Sequence, residues 1–143
     1  MQIKAAKRAS GKKNYTDGYC RNQALPSLRR AWYGVYFGPQ HPWNLGLPLK
    51  GKSQTSARAE VQAILAALQL RPTGPAVILS DNEAAVNTIS DFLEGCFDLP
   101  ETNQDLWKDI ASLVGGKTNW LRCKLIKWHA TKNMSPEVIS PQK

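Results

Sequence analysis

From Ser56 onward, apolar residues recur at helical spacing: Val61, Ile64, Leu65 and Leu68 fall at i, i+3, i+4 and i+7. The alanines between them have high helix propensity. Thr55 or Ser56 is the expected N-cap, and Pro72-Thr73-Gly74-Pro75 stops the helix. Ala76-Val77-Ile78-Leu79-Ser80 is a short, continuously apolar run, which predicts a strand buried on both faces. A second helix carries Val86, Ile89 and Leu93 and ends at Gly95. A third follows Pro100, with Leu106, Ile110, Leu113 and Val114 as its stripe and Gly115-Gly116 as its stop. In the last strand, Trp120 to Trp128, Leu121, Cys123 and Leu125 alternate with Arg122 and Lys124.

Upstream of the first helix the pattern is that of strands. Ala31-Trp32-Tyr33-Gly34-Val35-Tyr36-Phe37-Gly38 is rich in aromatic residues. Pro39 to Pro42 turn the chain, and Trp43 to Leu49 form its hairpin partner, with Pro48 placing that strand at an edge. Tyr15-Thr16-Asp17-Gly18 reads either as a strand end presenting a carboxylate or as a solvated Asp-Gly turn, and locally the turn is favoured. Ser10-Gly11-Lys12-Lys13-Asn14, before it, is poor strand sequence that would bury lysines, so a short or frayed first strand is expected. Residues 1–14 are expected to be a basic, weakly structured segment and 15–143 a single domain. Helices between the later strands imply right-handed crossovers, hence an α/β layer fold with a mixed sheet.

Composition narrows the function. The chain of 143 residues is 42% hydrophobic and 21% charged, within globular limits. No apolar run reaches the roughly 20 residues of a membrane span, so no membrane partner is expected. Three widely spaced cysteines and two histidines make no zinc pattern. With no signal-peptide core near Met1, reduced thiols inside a cell are expected. The net charge of +8 favours a polyanion such as nucleic acid.

Against that basic background three acidic residues fall at informative places. Asp81 directly follows the buried strand, where ligands of open α/β sheets collect. Asp17 occupies the same rim if Tyr15 and Thr16 close a strand. Glu60, in the first turn of the first helix, sits at the edge of its buried face. Each has a plainer role open to it: Glu60 can complement the helix N-terminus and Asp81 can cap the next helix. If the three converge, their mutual repulsion requires a hard cation, and Mg²⁺ suits phosphoryl chemistry.

In order and spacing, these segments resemble type 1 ribonuclease H, the eukaryotic-like catalytic domain. The matching pieces are Tyr15 to Gly18, Gly34 to Pro39, His41-Pro42-Trp43-Asn44, Gln54 to Glu60, Ser80-Asp81, Asp105-Leu106-Trp107 and Trp128-His129, collinear from about residue 15 to residue 133. The resemblance implies a ribonuclease H-like fold, a five-stranded mixed sheet flanked by helices. It further implies endonucleolytic cleavage of the RNA strand of RNA/DNA hybrids with two Mg²⁺ ions, Mn²⁺ being an alternative. Asp17, Glu60 and Asp81 match three of the family's metal-binding carboxylates, and His129 matches a histidine that assists proton transfer or product release. Glu137 stands where the fourth carboxylate, an aspartate, is expected.

Substrate residues implied by the same match are Asn22, Gln23, Lys52, Thr55, Ser56 and Phe92, with several departures. Ser56 and Ala57 replace two polar residues facing the RNA minor groove; Ser56 can bond a 2′-hydroxyl and Ala57 cannot. Ser53 replaces a basic residue, with Lys52 adjacent. Phe92 and Cys96 replace tryptophans that flank the DNA strand, and Phe97-Asp98-Leu99-Pro100-Glu101 replaces a basic handle. Asn22 lies one residue early, with Gln23 in its place. These departures leave a catalytically degenerate nucleic-acid- or protein-binding module as the alternative, with an integrase-like strand transferase behind it. The expected partner is an RNA/DNA hybrid bound by a monomer, in the nucleus or cytoplasm, or in a mitochondrion.

Overall fold

The structure, a computed structural model, describes residues 13–22, 24–70, 76–115 and 121–125. Five strands form one mixed sheet: β1 (Lys13–Arg21), β2 (Arg30–Tyr36), β3 (Leu45–Pro48), β4 (Ala76–Ser80) and β5 (Leu121–Leu125). Among the described residues three α-helices accompany them: α1 (Ser56–Leu70), α2 (Glu83–Leu93) and α3 (Gln104–Val114). The order across the sheet is β3-β2-β1-β4-β5. β1, β2 and β3 pair antiparallel, whereas β1–β4 and β4–β5 are parallel. The five-stranded mixed sheet is the one expected, and among the described residues no helix is long and apolar enough to cross a membrane.

The periodic segments fold as their patterns dictate. Val61, Ile64, Leu65 and Leu68 of α1 are buried and join residues of α2, α3 and the sheet in one core. Thr55 caps α1, its Oγ1 accepting from Arg58 N at 3.1 Å. Every residue of β4 is buried, as its unbroken apolar run requires. Short β3 lies at the sheet edge. The β2–β3 turn is closed by Asn44, whose Oδ1 accepts from Phe37 N at 2.6 Å while its Nδ2 donates to Gly38 O at 2.7 Å. β5 spans Leu121–Leu125; the remainder of the strand expected to reach Trp128 lies outside the described residues.

Residues 1–12, including Ser10-Gly11-Lys12 of the expected weak segment, lie outside the described residues. At Asp17-Gly18 the chain does not turn: β1 runs unbroken from Lys13 to Arg21, paired with β2 over its last seven positions. Lys13 lies exposed at its start, so no cost of burying that lysine arises. Next to it Asn14 is buried, 1% exposed, and its Oδ1 has no hydrogen-bond partner among the described residues. Its backbone lies opposite Ile78 of β4, and β2 takes over from Tyr15 onward, so pairing with neighbouring strands overrides the poor local strand propensity.

Candidate metal centre

Parallel register brings the first two carboxylates together. Lys13, Asn14 and Tyr15 of β1 lie opposite Val77, Ile78 and Leu79 of β4. Two residues further along each chain come Asp17 and Asp81. β4 ends at Ser80, so Asp81 leaves the sheet where β1 continues beside β2. Ser80 Oγ accepts from Asn82 N at 3.1 Å and fixes that exit.

Glu60 arrives from the helix layer because β1 makes room for it. A Cβ on Gly18 would stand 2.3 Å from Glu60 N and 2.4 Å from Ala59 C, so only glycine permits α1 to lie this close. The Asp-Gly pair is thus a carboxylate followed by a helix-packing notch. Side-chain oxygens of Asp17, Glu60 and Asp81 all lie within 4.8 Å of one another.

The plainer roles for these acids do not apply. Glu60 is the fifth residue of α1 and belongs to its second turn rather than its first, beyond the exposed amides of the helix start. Asp81 is not the cap of α2. That role falls to Asn82, whose Oδ1 accepts from Ala85 N at 3.0 Å. The other end of the same side chain, Nδ2, donates to Glu60 Oε1 at 2.8 Å. One asparagine therefore starts α2 and orients the Glu60 carboxylate from α1. Asn82 was not singled out from sequence, although an asparagine immediately before Glu83-Ala84-Ala85 is an N-cap signal.

Electrostatics record the crowding. Burial, aided by the charges of Asp81 and Asp17 and opposed by the Asn82 hydrogen bond, pushes the Glu60 carboxyl from 4.5 up to about 7. Three carboxylates held this close fit an oxygen-seeking divalent cation.

Arg58, next to this site, holds the helix layer together. Its guanidinium donates to Asp105 through Nη1–Oδ1 at 3.0 Å and Nη2–Oδ2 at 2.7 Å, and to Asn103 Oδ1 at 3.2 Å. Those bonds hold the Asp105 carboxyl at about 2 and raise the Arg58 pKa. The N-terminal end of α1 is thereby tied to the start of α3.

The expected substrate residues are scattered in role. Lys52 is exposed. Thr55 is engaged as a cap, and half-buried Ser56 begins α1. Asn22, in a left-handed conformation at φ 57, donates from Nδ2 to Leu28 O at 3.2 Å and closes the β1–β2 loop. Phe92 requires correction: at 0% exposure it is core, stacked on Phe97 and set edge-on to Trp107, with no face open to a nucleic acid. It follows Ile89 by three residues and so continues the buried stripe of α2. The exposed ring is its neighbour Phe97. Gln23, His129 and Glu137 lie outside the described residues.

Comparison with known proteins places this geometry in context. The family model described as RNase H matches residues 10–137. Human "Ribonuclease H1" is 37% identical over 84 residues, covering 57% of this chain and 29% of that protein. Fission yeast (Schizosaccharomyces pombe) "Ribonuclease H" is 40% identical over 60 residues, 42% of this chain and 22% of that one. The matches thus span less than a third of these relatives' length. Among solved structures, the PFV RNase H domain superposes with a TM-score of 0.64 at 21% identity, covering 87% of this chain and 84% of that one. LC11-RNase H1, solved in complex with RNA/DNA hybrid, gives 0.60 at 18% identity, with coverage of 90% and 93%. Both share the fold.

Proposed function

Because the chain belongs to the RNase H family, we propose that it is a divalent-metal-dependent endonuclease that hydrolyses the RNA strand of RNA/DNA hybrids. The observation that carries this reading is the convergence of Asp17, Glu60 and Asp81 oxygens within 4.8 Å. These three would hold Mg²⁺ or Mn²⁺, with Glu137 as the fourth carboxylate. Two such ions, when bound, supply water activation and stabilisation of the leaving 3′-oxygen. The chain's own contribution is positioning. β1 and β4 set the spacing of Asp17 and Asp81, Gly18 lets Glu60 approach, and Asn82 holds the Glu60 carboxylate in one orientation. In this reading His129 moves a proton or helps release product. Lys52, Thr55, Ser56, Asn22 and Gln23 line the hybrid's path. All three clustered carboxylates come from one chain, so a monomer suffices.

Cleavage of an end-labelled RNA/DNA hybrid tests the proposal. Activity should require Mg²⁺ or Mn²⁺ and should fall about a thousandfold or more in Asp81→Asn, as expected when several kcal/mol of transition-state stabilisation is lost. Wild type and Asp81→Asn equally inert at high protein and Mn²⁺ would sink the nuclease reading and leave a binding module.

A further inference from the structure

Beyond Asp17, exposure alternates along β1. Asp17, Tyr19 and Arg21 are exposed, whereas Gly18 and Cys20 are half-buried beneath α1. The strand thus leads from the carboxylate cluster to a stretch where Tyr19 and Arg21 are exposed on the side away from α1. Tyr19, 49% exposed, stands directly opposite Trp32 of β2, with ring centroids 5.7 Å apart. The Arg21 guanidinium lies 5.4 Å from the Trp32 ring centroid. Trp32 also walls a cleft of about 410 Å³ whose rim carries Arg29, Arg30 and Lys52, and among the described residues that line it none is acidic. Arg30 is oriented by donating Nη1 to Arg29 O at 2.6 Å.

A braced aromatic platform continuous with a cleft ringed by cations matches one ligand chemistry: bases offering a ring face, joined by phosphates. A paired base in a duplex has both faces covered by its neighbours, so the tyrosine ring selects an unpaired strand. We infer that Tyr19, Trp32, Arg21 and Arg30 form a site for single-stranded nucleic acid. It would hold the unpaired segment where a hybrid ends, one base stacking on Tyr19 and the phosphates following Arg21 and Arg30 into the cleft. The biological sense of this site rests on the nuclease reading; its chemistry rests on the surface alone.

The two readings separate by probe. Binding of a fluorescein-labelled dT12 single strand is followed by anisotropy in EDTA at low salt, and cleavage of a blunt hybrid is followed in Mg²⁺. Wild type should bind dT12, Tyr19→Ala should weaken that binding roughly tenfold, and Tyr19→Phe should restore it. Arg30→Gln should flatten the salt dependence by about 0.7 of a log–log slope. Blunt-hybrid cleavage should stay within about twofold in all three variants. Unchanged dT12 affinity in Tyr19→Ala overturns the inference. An equal loss on a blunt hybrid overturns it too, because the surface would then be a duplex-backbone tract. Tyr19-dependent dT12 binding by a chain that cuts no hybrid supports the site and defeats the nuclease reading. Hybrid cleavage with no Tyr19-dependent dT12 binding does the reverse.

Discussion

Gly18 and Glu60 hold the site in opposite ways, one by having no side chain and the other by having a charged one. Filling the notch at Gly18 drives a methyl into the backbone of Ala59 and Glu60, which cannot shift without moving α1. Gly18→Ala should therefore cost about 3 kcal/mol in urea unfolding and weaken divalent-cation binding alongside. Glu60 has a pH signature. Its folded-state pKa of about 7 lies above the ordinary 4.5, so the folded protein binds its proton the more tightly. The associated stability is full below about pH 4.5 and is lost as pH rises through 7. Thermal melts in EDTA should show that loss in wild type and a flatter profile in Glu60→Gln. Saturating Mg²⁺ should bring the wild-type melting temperature back up near neutral pH by selectively binding the ionised site.

At the scale of elements, the site is a junction of two strands and two helices. The β1–β4 register levels Asp17 with Asp81, and Asn82 joins the start of α2 to the second turn of α1. Asn82→Ala should remove a helix cap worth about 1 kcal/mol. It also deletes the Asn82 hydrogen bond that lowers the Glu60 pKa, so the carboxyl should titrate higher still, as side-chain ¹³C NMR in EDTA would show. Asn82→Asp keeps the cap acceptor but adds a fourth negative charge beside Glu60. It should retain helix stability while raising the Glu60 pKa at least as far. The Arg58 fork to Asp105 anchors α1 from its other side, which is why α1 delivers Glu60 at a fixed depth.

For the whole molecule, the basic charge and the acidic centre divide the work. In the proposed reading, a net charge of +8 would draw a polyanion to a surface whose carboxylate cluster would by itself repel a phosphate. Hybrid binding by the Asp81→Asn chain should weaken steeply with salt, the logarithm of affinity falling linearly with the logarithm of salt concentration. An affinity indifferent to salt would count against phosphate neutralisation as the source of binding. The sequence by itself determined the helices and the buried strand, because Val61, Ile64, Leu65 and Leu68, or Ala76 to Ser80, state their periods locally. It also placed Asp17, Glu60 and Asp81 in one reading. Three matters were decided only in the tertiary structure. β1 exists because β4 pairs with its start, Lys13 to Tyr15, and β2 with Tyr15 to Arg21, despite a start its own propensities disfavour. Phe92 became core rather than a stacking surface because the α2 stripe turns it inward against Trp107. Gly18, half of an Asp-Gly turn signal locally, became a packing notch because α1 lies against it. That is a contact across more than forty residues of chain, which no local pattern encodes.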